Sequence, residues 1–173
     1  MMNQRVVEAI NRQINSELSA SYSYLAMSAW CERQKLTGAA RWLRVQSQEE
    51  YLHAMKLLDF LLARDSDVEL VAIQAPRYPY ASLLDVFERG LQQEQEVSGQ
   101  IDALYEIAFK EKAFAAVAEL QWFLTEQVEE EKTAREIVTK LQMVGNDPAS
   151  LLDMDRELGS RSGVEAPPPA ASA

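Results

Sequence analysis

One cysteine, one histidine, six glycines and six prolines are spread over 173 residues. A single thiol, Cys31, can neither close an internal disulfide nor supply a cysteine-rich zinc or iron module. With His53 the only imidazole, any metal or acid–base site has to lean on carboxylates. Basic residues are few as well, 17 against 27 acidic ones. The resulting net charge of -10 argues against nucleic-acid phosphates as a partner and in favour of cations. No apolar run reaches the ~18–20 residues of a membrane span. The opening MMNQRVVEAINRQ has no apolar signal-peptide core and reads as the start of a helix. A soluble, cytoplasmic protein without membrane or nucleic-acid partners is therefore expected. What is present, 47% hydrophobic and 25% charged residues, is the balance of a globular domain long enough to bury its own core.

The scarcity of glycine and proline leaves long uninterrupted helical patterns. Residues 4–33 contain neither, and Ile10, Ile14, Leu18, Ser21 and Leu25 recur at helical spacing. After a break at Lys35-Leu36-Thr37-Gly38, a second helix is expected from about Ala39 to Ala63, with Trp42, Leu43, His53, Leu57, Phe60 and Leu61 on one side. Residues 65–81 carry two prolines and no helical period. They are long for a loop but, extended, long enough to run the length of a helical bundle. Ser82 offers an N-cap for a third helix to about Phe109. Lys110-Glu111-Lys112 breaks it, and a fourth helix runs to Val144 before the stop Gly145-Asn146-Asp147-Pro148. Residues 149–159 suit a short fifth helix. The pattern predicts an all-α four-helix bundle with a long crossover after helix 2, as one domain over residues 1–160. A Pro/Ala-rich tail over 161–173 is expected to be disordered.

Acids interrupt the apolar stripes. At steps of three and four the first helix reads Ile10, Ile14, Glu17, Ser21, Tyr24, and the second Trp42, Gln46, Glu50, His53, Leu57, Phe60. The third reads Phe87, Leu91, Glu94, Val97, Ile101, Leu104, and the fourth Leu120, Leu124, Gln127, Glu130, Ala134, Ile137, Leu141. The midpoint of Glu17 and Glu50 falls at the start of the first break and that of Glu94 and Glu130 inside the second, so antiparallel hairpins bring each pair to mid-bundle to within about one helical turn. Buried carboxylates without counter-charge cost several kcal/mol each and repel one another. No Lys or Arg lies on these four stripes near them. A pair of divalent metals compensates directly, and Glu50-x-x-His53 is the inward i, i+3 chelate of di-iron carboxylate bundles. Oxygen ligands with one imidazole suit iron or manganese.

On three segments, INRQINSELSASYSYLAMSAWCERQ (10–34), RVQSQEEYLHAMKLLDFL (44–61) and LQWFLTEQVEEEKTAREI (120–137), the sequence resembles the ferritins of the non-haem, prokaryotic kind. The resemblance spans residue 3 to about 159. It implies iron storage in a hollow shell of 24 identical subunits, with Fe(II) oxidised by O2 or H2O2 at a ferroxidase centre and kept as ferric oxide mineral. It also implies the roles. Glu17 and His53 bind the first iron, Glu50 bridges, Glu94 and Glu130 hold the second, and Gln127 lies beside that second iron. Tyr24 matches the tyrosine next to the centre. Glu49, Glu126 and Glu129, with Glu130 shared, match a third iron site. No haem is expected, because Tyr51 stands where a bacterioferritin has its haem-ligating methionine and Gln127 where it has a second E-x-x-H. The competing enzyme class is a di-iron peroxidase that detoxifies oxidant without storing mineral.

Overall fold

A computed structural model of the chain describes residues 2–164, 167 and 168. Five helices follow in order: α1 Gln4–Arg33, α2 Thr37–Ala63, α3 Leu83–Lys110, α4 Phe114–Val144 and α5 Pro148–Gly159. All begin and end within a few residues of the boundaries read from glycine, proline and charge. α1, α2 and α3 are each followed by a residue with positive φ that is not glycine: Lys35 at 67°, Asp65 at 50° and Lys112 at 55°. Each such turn closes with a backbone bond from the next residue to the helix, as Leu36 N–H does to Cys31 C=O at 3.0 Å.

Gly38 is not the turn its sequence context suggests. It lies inside the first turn of α2, which has no side-chain cap of its own. Asp155 on α5 caps that helix instead, accepting from Gly38 N–H at 3.1 Å and Ala39 N–H at 2.8 Å. So close an approach leaves no room for a side chain, since a Cβ on Gly38 would lie 1.8 Å from the Asp155 carbonyl oxygen. Gly38→Ala is expected to destabilise the chain by about 3 kcal/mol through overpacking. Gly99→Ala, in open space on α3, should be neutral to stabilising by up to ~1 kcal/mol. Thermal melts of the two variants check the contrast. Pro148, taken from sequence as a stop, also opens α5 at its first turn behind the Asp147 cap.

α1/α2 and α3/α4 are antiparallel hairpins. Residues 64–82 connect them by running along α1, with Asn11 and Asn15 donating to the Asp67 and Glu69 carbonyls and Arg33 to the Tyr78 hydroxyl. The crossover therefore spans the bundle, about 33 Å at 1.5 Å per helical residue, and lets α2 and α3 run parallel. The buried face of α1 follows Glu17, Tyr24 and Met27. Leu25 is 41% exposed, so the apolar line ending on it turns out of the core.

The apolar core comes in two halves. One packs Tyr24, Met27, Trp42, Leu43, Phe87 and Leu141; the other packs Ile10, Ile14, Leu57, Phe60, Ile101 and Phe123. Between them lies a layer of buried Gln46, Glu17, Glu50, His53, Glu94, Gln127 and Glu130. Of the tail over 161–173, residues 165, 166 and 169–173 lie outside the described residues, whereas Arg161 and Pro168 contact α2.

Candidate metal centre

Each wall of the polar layer comes from a different helix, as the matched register of the acids requires. Glu17, Glu50 and His53 bring one ligand atom each to within 4.8 Å of the others, and His53, Glu126 and Glu130 do the same. The imidazole thus stands between two clusters of potential ligands. Its ring is set by edge-on contacts with Trp122 at 5.3 Å and Phe123 at 6.0 Å. Trp122 is accordingly a wall of the site, a role that helical periodicity does not distinguish from ordinary packing.

The remaining acids differ in placement. Glu94, 1% exposed, accepts from the Tyr24 hydroxyl and lies 3.4 Å from the Gln127 side-chain amide. Gln127 and Tyr24 therefore sit against the Glu94 carboxylate. Glu49 is buried and ion-paired with Arg161. Glu129 points outward, its side chain 65% exposed and 3.7 Å from Lys132. Of the four residues matched to a third site, Glu126 and Glu130 gather with His53, Glu49 is paired with Arg161 outside that group, and Glu129 points outward.

The electrostatics are those of a centre built for cations. Burial first, and then the Glu50 charge, pushes Glu17 up to about 8. Burial also raises Glu94 to about 7, against the lowering effect of its bond from Tyr24. Burial and the charge of Glu94 take Glu130 to about 8. Glu50 rises well above the usual carboxylate range for the same reasons, burial and the neighbouring Glu94 and Glu130 charges. Glu17 Oε2 and Glu50 Oε2 have no hydrogen-bond partner. Orphaned buried oxygens are costly, and a hard divalent cation satisfies them, so the donor set fits iron.

A family profile for the ferritin-like domain matches residues 7–144. The chain belongs to the ferritin family. A bacterial non-heme ferritin of Staphylococcus aureus (strain USA300) is 36% identical over 162 residues, covering 94% of this chain and 98% of that protein. The Staphylococcus haemolyticus bacterial non-heme ferritin is 38% identical over the same length. Among solved structures, the open-pore ferritin of the hyperthermophilic archaeon Archaeoglobus fulgidus superposes with a TM-score of 0.92 at 42% identity, over 94% of this chain and 99% of that one. A humanized archaeal ferritin gives 0.93 at 41%, over 95% and 100%. Iron storage with ferroxidase activity is the function this ferritin's family membership supports.

Two charged contacts of the ferritin fold were not legible as site features. Lys56, one turn beyond His53, is buried and paired with Glu119 at 2.5 Å, beneath Trp122 at 5.5 Å. Arg161 reaches Glu49 and Gln46 from beyond α5. A lysine one turn beyond His53, beside the buried Leu57, was the one available signal for the first; the second carried none. Cys31 is fully buried and its thiol is pushed up to about 12 by burial, which leaves it unreactive.

Proposed function

We propose that Glu17, Glu50, His53, Glu94 and Glu130 form an intrasubunit ferroxidase centre taking two Fe(II) per subunit as substrate. In this reading Glu17 and His53 hold the first iron, Glu50 bridges, and Glu94 with Glu130 holds the second. Gln127 steadies the Glu94 carboxylate, and Tyr24 donates its hydroxyl proton to that carboxylate. Glu49, Glu126 and Glu130 provide a third cation position, with Glu129 at its outer edge. The observation that carries the proposal is the convergence of the buried Glu17 and Glu50 carboxylates on His53, with Glu50 Oε2 3.5 Å from the imidazole Nδ1.

Two Fe(II) give up two electrons, and O2 takes them with two protons to become H2O2; H2O2 as oxidant takes two electrons from a further pair of Fe(II), with two protons, to become two waters. The carboxylates favour the Fe(III) product because anionic oxygens bind the harder, more highly charged ion more strongly. Protons held on Glu17, Glu94 and Glu130 near neutral pH leave as Fe(II) binds. Fe(III) then moves to the interior of a 24-subunit shell in the cytoplasm and deposits as ferric oxide, without haem.

Aerobic Fe(II) titration of the apoprotein, with particle size followed throughout, tests this. The expected result is a fast oxidation phase saturating at two or three irons per subunit, then continued uptake into a particle of about 24 subunits. Saturation without further uptake would replace storage by the peroxidase reading. Absence of a fast phase would remove the ferroxidase assignment altogether.

A further inference from the structure

The chain leaves α5 at Gly159, and two residues later Arg161 lies back on α2. Its guanidinium sits 4.4 Å from the Trp42 ring centroid, a stacked cation–π contact. One amino group donates to Gln46 Oε1 at 2.8 Å and the other pairs with Glu49 Oε2. The side chain is only 22% exposed, and that of Glu49 9%.

Gln46 carries this contact inward. It is fully buried, and its Nε2 donates to Glu130 Oε2 at 2.7 Å and reaches Glu50 Oε1 at 3.3 Å. A carboxamide offers its acceptor on one side and its donor on the other. With Oε1 taken by the arginine, Nε2 can only face the acids. The tail's guanidinium is therefore joined through one amide to two carboxylates of the dinuclear centre. It also holds directly a third acid, Glu49, whose charge is felt at Glu130.

We infer that Arg161 is a positioning residue that occupies the outer cation position of the centre, so that a third divalent cation and the arginine exclude one another. This rests on the proposed ferroxidase reading and adds a competitor to it. Arg161 Nη2 and a divalent cation compete for the one Glu49 carboxylate, and two positive charges held against it repel each other. A cation entering at Glu49, Glu126 and Glu130 must first displace Arg161, which frees the stretch beyond α5 from Trp42 and unlocks the Gln46 amide. A cation lost from that position lets the arginine return. The first two positions lie at Glu17, Glu50, His53, Glu94 and Glu130 and do not use Glu49. Arg161 therefore bears on the third position directly through Glu49 and on the first two only through the Gln46 amide, and it ties occupancy of the third position to undocking of the tail.

The test is anaerobic titration of the full-length apo-shell with Zn(II), a redox-silent probe, by calorimetry and by Trp fluorescence. In the unsubstituted protein the first two equivalents per subunit bind tightly and the third weakly, and Trp emission changes with the third. Arg161→Ala is expected to tighten the third equivalent by about 10-fold, the scale of one charge-assisted contact removed, and to shift the first two, reached only through the neutral Gln46 amide, by no more than about 2-fold. Arg161→Lys, which keeps the charge and loses the fork, should fall between. Trp42→Phe, retaining a ring beneath the guanidinium, should diminish the fluorescence step on the third equivalent, leaving the response of Trp122 beside His53, without changing the affinity more than about 2-fold. An unchanged or weaker third equivalent in Arg161→Ala overturns the inference. Failure of all variants and the parent to bind the first two overturns the dinuclear reading instead.

Discussion

Replacing Glu130 with alanine is expected to slow the initial oxidation of Fe(II) by about 100-fold or more, the scale at which disturbing even the supports of a metal ligand is felt. Glu130 belongs to the His53–Glu126–Glu130 cluster and accepts a 2.7 Å bond from Gln46. Its loss removes a proposed ligand and leaves the Gln46 amide with Glu50 alone. The same substitution should raise the apo-shell's melting temperature at pH 8, since it deletes a buried acid that is expensive to ionise there. Glu130→Gln, of nearly equal volume, separates the lost charge from the lost packing. Stopped-flow oxidation at two Fe(II) per subunit, with melts of the same samples, reads both effects. A rate within about two-fold of the parent's would remove Glu130 from the ligand set.

The apoprotein is expected to lose stability as pH rises from 5 to 8, the reverse of the usual behaviour of paired acids. Glu17, Glu94 and Glu130 are raised from 4.5 to about 8, 7 and 8. Between pH 4.5 and 8 the folded chain holds protons there that the unfolded chain has released. Stability falls with pH wherever the folded state binds more protons, so the contribution is complete below pH 4.5 and gone above about 8. At 1.36 kcal/mol per unit, one such acid is worth roughly 3–5 kcal/mol, and because neighbouring acids titrate together the layer is worth less than the sum of its members. Divalent metal supplies the missing positive charge, and the slope with pH should flatten or reverse when Zn(II) is present. Melting temperatures of apo and Zn(II)-loaded shells from pH 5 to 8, at fixed subunit concentration, measure it. Glu17→Gln should flatten the apo curve; a parent curve that rises steadily to pH 8 would contradict the burial of these acids as protonated groups.

How much of this could be read from residues alone depends on whether a feature is local. Glu17 and Glu50 were legible as neighbours because a helical hairpin with a short turn fixes register, and counting outward from the break suffices. Glu94 and Glu130 followed from the same counting. The crossover was legible by length, though its path along Asn11, Asn15 and Arg33 depends on side chains with no special pattern. Gly38 was misleading: beside a turn a glycine reads as punctuation, and only the docking of α5 shows that it makes room for Asp155. Arg161 was invisible because contacts made by a chain end carry no periodicity. Glu129 lies one helical step, about 100°, from Glu130, enough to take its carboxylate from the polar layer to solvent.

The division of the proposed ligands between the two hairpins has a consequence for how the chain reaches its native state. Glu17, Glu50 and His53 belong to α1 and α2, and Glu94, Glu126 and Glu130 to α3 and α4. Each hairpin is closed by a short turn and makes mostly local contacts, the kind that form early and fast. Joining them must close the crossover and bring two sets of acids face to face. The final encounter is thus the step that creates the binding layer, and it is opposed by the like charges that later attract iron. Folding should be quickest under mild acid or with divalent cations present, and a nascent subunit completes itself most readily in a cell that already has metal to be stored.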